Sequence, residues 1–189
     1  MSKYILFNFL FVIFCGNYTY SFAQQSKIDS LNALIKNDKL DTNKVNHLNQ
    51  LCLEYSKRSS YDSTIIYGND ALQLAQKLNF KNGIFNSYAN IGSAYIVQGN
   101  YPIALDTYLK ALKISEEIGD KSGIAKCFSN LGTIHKQQSD FPKALDYHFK
   151  ALKIREELGA KKLISISLTK IGIIYEPHLT KTRQAVSLT

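Results

Sequence analysis

Residues Phe141–Gly159 read FPKALDYHFKALKIREELG, and forty positions earlier residues Tyr101–Gly119 read YPIALDTYLKALKISEEIG. Of the 19 aligned positions 12 are identical without a gap, so one unit has been duplicated. The period continues on both sides. Gly92, Gly132 and Gly172 lie forty apart, as do Ile84, Ile124 and Ile164, and Tyr95, His135 and Tyr175. Another forty residues back, a worn copy places Leu51, Tyr55, Tyr61, Ala71, Leu72 and Gly83 opposite Ile91, Tyr95, Tyr101, Ala111, Leu112 and Gly123. A fixed period of this length marks a stack of repeated supersecondary units, running from about residue 41 to the end of the chain.

Within a unit the apolar spacing is helical. Tyr88, Ile91, Gly92, Tyr95 and Ile96 fall three and four apart, as do Ala104, Leu105, Tyr108, Leu109, Ala111 and Leu112, so each unit holds two amphipathic helices and no strand. Gly99-Asn100 and Ser139-Asp140 separate the two. Asn100 and Asp140 are suited to cap the second helix, with Pro102 and Pro142 in its first turn. Gly119 and Gly159 are placed to end it in the left-handed conformation. Gly92, Ala104 and Ala111 let the paired backbones approach closely while Tyr88, Tyr95 and Tyr108 fill the gaps. Two helices cannot bury both apolar faces alone, so the pairs must stack into a solenoid.

Tyr88-x2-Ile91-Gly92-x2-Tyr95 with Ala104-x3-Tyr108 and Ala111, and Phe128-x2-Leu131-Gly132-x2-His135 with Ala144-x3-His148 and Ala151, resemble the tetratricopeptide (TPR) pattern. The period of forty resembles the long-helix variants of kinesin light chains and bacterial regulators. The usual terminal proline of each unit is replaced by Gly119 or Gly159. The resemblance implies an all-α, right-handed α-α superhelix of helix-turn-helix repeats. We expect repeats at about 41–80, 81–120 and 121–160, a partial one at 161–175, and an incomplete repeat or frayed tail at 176–189. A leading helix falls within 24–40, with Ile28, Leu31, Leu34 and Ile35 on one face. Pro177 is expected to interrupt the last first-helix. The unfinished end predicts self-association through the C-terminal repeat.

The first 23 residues stand apart. Lys3, the apolar run Tyr4–Cys15 and Ser21-Phe22-Ala23 before Gln24 read as a secretory signal peptide. The run is about a dozen residues, short of the roughly 20 that span a bilayer, so membrane association is expected only if this segment stays uncleaved. Phe14 before Cys15 argues against lipidation. The expected location is exported, periplasmic or secreted, in a bacterium. The whole chain of 189 residues carries +8; without residues 1–23 it keeps 22 basic and 15 acidic residues. From Lys161 onward five basic residues face only Glu176, which we read as a solvated helical surface, with no nucleic-acid partner. Cys52 and Cys127 fall two repeats apart. Stacking would separate them by roughly 20 Å, beyond disulfide reach, which leaves two buried thiols.

Chemistry is scarce. His135 and His148 replace Tyr95 and Tyr108 as core rings, and no ligand spacing completes a zinc set. Glu116-Glu117 and Glu156-Glu157 are adjacent pairs that point about 100° apart on a helix. No catalytic motif is present, so no enzyme, metal or cofactor is expected. What remains is a surface. In the family the first helix of each pair lines a concave groove, and the residue before the Ile/Leu-Gly pair faces the ligand. These positions are Gln50, Asn90, Asn130 and Lys170, with Lys126, Thr133, Lys136 and Gln137 beside Asn130 giving positive character. Asn90 and Asn130 are expected to face solvent. A row of amides suits the alternating donors and acceptors of an extended peptide. The resemblance thus implies a non-catalytic protein- or peptide-binding scaffold. The alternative is the extracytoplasmic input region of a truncated membrane signalling protein, a histidine kinase or transcriptional regulator. N-terminal sequencing of exported protein is expected to begin at or near Gln24; Met1 or Ser2 on membrane-bound protein would make the segment an anchor.

Overall fold

The computed structural model describes residues 25–186, with side chains through Tyr175. The signal-peptide reading of residues 1–23, Cys15 included, therefore lies outside the described residues. So do the side chains of the basic residues Lys181 and Arg183. Residues 25–37 form α1. Then follow α2 (Thr42–Lys57), α3 (Tyr61–Lys77), α4 (Lys81–Val97), α5 (Tyr101–Glu117), α6 (Lys121–Gln137), α7 (Phe141–Glu157) and α8 (Lys161–Val186). The described residues form an all-α right-handed solenoid in which α2/α3, α4/α5 and α6/α7 are the paired helices.

Each helix stops at a fixed interval. Ser59, Asn79, Gly99, Gly119, Ser139 and Gly159, twenty apart, all have positive φ, between 52° and 75°. The next amide then bonds back to the last turn, as from Asn100 to the Tyr95 carbonyl at 2.9 Å and from Asp140 to that of His135 at 2.9 Å. These left-handed turns satisfy the end carbonyls and reverse the chain. The following helix is capped where expected: Asn100 Oδ1 accepts from the Ile103 amide and Asp140 Oδ1 from that of Lys143.

The twenty-residue rhythm explains a departure at the C-terminus. We expected Pro177 to interrupt the last helix, but α8 runs through it to Val186. A proline removes one backbone bond and strains one turn, yet reversal also needs a residue that tolerates positive φ. The next stop position, 179, is a leucine. Without a left-handed residue there the chain has no programmed turn, and the helix continues.

The pairs are held by small residues under rings. A Cβ built on Gly92 would lie 2.8 Å from the Tyr108 ring, and one on Gly132 2.8 Å from the His148 ring and 3.0 Å from the Ala144 carbonyl oxygen. In the α2/α3 pair the roles are exchanged, because Cys52 stands at the glycine position and Gly68 at the ring position. Ala104, Tyr108, Ala111, Cys127, Leu131 and Ile134 are fully buried in one core cluster that runs from α5 to α6. Both described cysteines are free and buried, and burial pushes each thiol up to about 12, which makes them inert packing atoms.

At the N-terminal end, Ile28 and Leu31 pack on Leu51 with Ile35, Tyr55 and Tyr67 around them. Lys27 pairs with the buried Glu54 at 2.6 Å. Leu34, expected on that face, is instead 47% exposed. It sits about 100° around the helix from Ile35, beyond the edge of the contact. Among the described residues no helix is long and apolar enough to cross a membrane.

The glycine contacts give a paired test. Gly132→Leu is expected to cost about 1–3 kcal/mol by overpacking His148, outweighing the roughly 1 kcal/mol gained in helix propensity. Among the described residues nothing lies within 4 Å of a Cβ built on Gly172, so Gly172→Leu is expected to hold or raise the melting temperature. Equal effects of the two in denaturant titrations would remove the close-packing explanation.

Candidate peptide-binding groove

The first helices of the pairs form the inner layer. α2 packs on α4 and α4 on α6, while α3, α5 and α7 make no comparable contacts with one another. Side chains therefore cross from one inner helix to the next, in a repeating register. Asn90 Nδ2 donates to the Asn49 carbonyl at 3.2 Å and to Asn49 Oδ1 at 3.1 Å. Asn49 Nδ2 donates in turn to Ser87 Oγ at 3.2 Å. Eighty residues on, Lys170 Nζ donates to Ser129 Oγ at 3.0 Å and Thr133 Oγ1 at 3.1 Å.

Asn90 is thus buried, at 8% exposure, and not solvent-facing as expected. The closeness of α2 and α4 gives its amide backbone and side-chain partners, each such bond worth about 1 kcal/mol. Asn130 is half-buried and turns back to its own helix, donating to the Lys126 carbonyl at 3.0 Å. Gln50 is exposed.

A cleft of about 280 Å³ opens on this inner surface, lined by Asn46, Asn49, Gln50, Leu53, Asn86, Asn90 and Lys126. Of the residues singled out from sequence, it brings together Gln50, Asn90 and Lys126. Asn46, Asn49, Asn86 and Leu53 were missed. Asn46, Asn86 and Lys126 are forty apart, so the register that identified Gln50 and Asn90 also contained them one turn earlier. Lys126 extends over Phe85 with Nζ 5.9 Å from the ring centroid. Withdrawal of water around its ammonium lowers its pKa, although the residue as a whole remains exposed. No ion pair neutralises it among the described residues.

The positive character expected beside Asn130 is divided. Thr133 and Lys170 meet over Ser129, and Lys136 is half-buried near them, while Gln137 is exposed at the end of α6. Burial, then Arg155 and Lys136, lower the pKa of Lys170. This lysine fills a niche that a tyrosine fills one repeat earlier, where the Tyr108 hydroxyl lies 2.6 Å from Ser93 Oγ and donates to the Ala89 carbonyl at 3.2 Å. His148 is too short to do the same. Its Nδ1 has no partner, and Lys170 reaches across from α8 instead.

Among the described residues no group of three or more His, Cys, Asp or Glu is arranged to hold a metal ion. His135 stacks on Tyr147 with ring centroids 5.4 Å apart, and His148 is 1% exposed. Both are packing rings. His47 makes a 2.7 Å contact with Asp38 at the foot of α2.

The tetratricopeptide repeat model matches residues 83–157, and a second, described as the SusR N-terminal TPR domain, matches residues 17–109. The chain belongs to the tetratricopeptide repeat family. No curated protein sequence matches it. Among solved structures, apo RapI is similar with a TM-score of 0.72 at 18% identity, covering 88% of this chain and 48% of RapI. The TPR2AB domain of yeast Sti1, in its pHSP90 complex, has a TM-score of 0.62 at 20% identity, covering 77% and 51%. A signal transduction ATPase with a tetratricopeptide repeat sensor from Pyrococcus horikoshii has a TM-score of 0.69 at 23% identity, covering 79% and 23%. At these identities the likeness is one of fold, and the chain spans about half or less of each of these three.

The buried ring at α7 gives a pH-dependent prediction. Burial, with Lys170, Arg155 and Lys136 nearby, holds the His148 imidazole down from 6.5 to about 4. Unfolded chains take up this proton below pH 6.5 and folded ones only near 4, so the contribution is complete above 6.5 and is lost as pH falls towards 4. Carboxylates titrate in the same range, so the comparison is with His148→Phe. The variant is expected to lose less melting temperature across that window, and parallel curves would show that His148 is not the group responsible.

Proposed function

We propose that this chain is a non-catalytic scaffold of the bacterial extracytoplasmic space that holds an extended segment of a protein partner along α2, α4 and α6. The observation that carries this reading is the amide cleft. The exposed amides of Asn46, Gln50 and Asn86 offer donors and acceptors together, which matches the alternating N–H and C=O groups of an extended backbone. Lys126 adds one unneutralised charge at its edge, which favours a segment with an acidic group there. The complex named for Sti1 is a precedent for a segment held on this fold. Export is supported by Lys3, the short apolar run and Ser21-Phe22-Ala23.

A second reading is favoured by two of the likenesses. The matched SusR model is an N-terminal domain, and the Pyrococcus array is a sensor. On this reading the groove is the input region of a membrane signalling protein. Genomic sequence beyond Thr189 decides between them: a membrane span followed by kinase or DNA-binding motifs favours the input region.

The groove itself is tested by panning a random-peptide library against the full chain. Enriched peptides are expected to lose most of their binding to an Asn86→Ala/Lys126→Ala double variant. Both positions are exposed, so each change is expected to move stability by under about 0.5 kcal/mol. Asn90→Ala is unsuitable, because it strips a buried bond from Asn49. Undiminished binding by the double variant would place the site elsewhere.

A further inference from the structure

A second hollow lies on the face of α2 turned away from the amide cleft, where α1, α2 and α3 meet. Its volume is about 340 Å³. Ile35, Leu40, Leu48, Tyr67 and Leu74 line it with apolar surface, and Lys44, Asp70 and Lys77 stand among them. Tyr67 is a fixed wall, because it stacks on Tyr55 with ring centroids 5.3 Å apart and planes 4° from parallel. All of these residues belong to the first three helices and the turn before α2, so the form of the cavity does not depend on where the sequence begins or ends.

The repeat shows what fills the same place forty residues on. Ala75, Phe80, Ile84, Tyr88 and Ile114 hold the positions of Ile35, Leu40, Lys44, Leu48 and Leu74, and those five pack together in one hydrophobic cluster. The first unit has lost apolar bulk at three of them. Leu48 stands where Tyr88 and Phe128 place rings, Lys44 stands where Ile84 and Ile124 are apolar, and Leu40, equivalent to the half-buried Phe80, is 72% exposed. Ile35 for Ala75 and Tyr67 for Thr107 return only part of that volume. A ring and a branched side chain are therefore missing from a site that the fold otherwise fills, and packed interiors leave few such spaces.

The charged residues say what kind of molecule replaces that bulk. No ion pair of Lys44 or Lys77 is found among the described residues. Two ammonium groups and the Asp70 carboxylate leave one positive charge in excess on the wall, which disfavours a cation and, through Asp70, a dianion. We propose that this cavity binds a small amphiphilic monocarboxylate. Its apolar body takes the place that Tyr88 fills one repeat later, and its carboxylate meets the Lys44 and Lys77 ammonium groups. Mostly apolar cavities with a few convergent polar groups are the usual form of small-molecule sites. The occupant ties α1 to the α2/α3 pair. This site is separate from the amide cleft and does not rest on the groove reading.

The probes are hydrocinnamate, which carries a ring, and octanoate, which carries a chain, each titrated against the full chain by ligand-observed NMR. Saturable binding of at least one is expected, with slower amide exchange across residues 35–48, and the stronger of the two identifies the body as ring or chain. Leu48→Tyr restores the residue of the next repeat. It is expected to raise the melting temperature, as cavity filling does, and to lower affinity roughly tenfold or more by taking the space itself. Lys44→Ile, also the residue of the next repeat, is expected to lower affinity for the carboxylate by about two- to fivefold, the range of a partly exposed ion pair. The same variant is expected to leave affinity for hydrocinnamyl alcohol unchanged. If neither carboxylate binds saturably, or if Leu48→Tyr folds and binds equally well, the proposal fails. An alcohol bound as tightly as its carboxylate would remove the recognition of charge and would equally overturn it.

Discussion

A backbone without a side chain, pressed under a ring, sets the geometry of the array. Gly92 under Tyr108 and Gly132 under His148 bring the paired helices close enough for Ala104, Ala111, Ala144 and Ala151 to be wholly buried. Packed interiors have little free volume, so bulk admitted on one side of this contact must be removed from the other. The α2/α3 pair shows the rule by inversion. Cys52 replaces the glycine, Gly68 replaces the ring, and Ile91 of the next helix fills the space, lying 2.7 Å from where a Gly68 Cβ would be. The contact is a shared volume and not a fixed residue pair, which explains how the most divergent copy still stacks.

The second constraint is the position at which each helix is allowed to stop. Positive φ is costly for most residues, and the chain supplies Gly, Asn or Ser at each of the six twenty-residue stops. Where it supplies Leu179, the helix passes straight through even a proline. Termination here depends less on what breaks a helix than on what can complete a turn. The length of α8 follows from that one substitution in the pattern.

Several buried polar groups on the inner helices are satisfied across repeats. Asn90 belongs to α4 but is paired with α2, and Lys170 belongs to α8 but fills the Ser129–Thr133 niche of α6. Replacement of a tyrosine by His148 and recruitment of Lys170 are two parts of one accommodation, because the shorter ring leaves the niche for a longer side chain to reach. Such exchanges give successive repeats different inner surfaces while their cores stay alike: amide-lined between α2 and α4, cationic at Lys126, and closed by Lys170 further on.

The sequence by itself determined the period, the helix pairs, the caps at Asn100 and Asp140, the stops at Gly119 and Gly159, the burial of Cys52, Cys127 and His148, and the near-core place of His135. Each of these follows from spacing along one helix or from the identity of residues forty apart, and both are local or periodic quantities. The inner face was legible as a row of positions but not as a set of partners. Gln50 and Asn90 occupy equivalent positions, yet one is exposed and the other buried, because whether an amide meets solvent or a neighbour depends on the distance between successive inner helices. Leu34 was misjudged for a related reason, since helical spacing gives the angle of a side chain and not the width of the surface it meets. Only the tertiary structure fixed those distances and widths, through the volumes shared at the glycine–ring contacts.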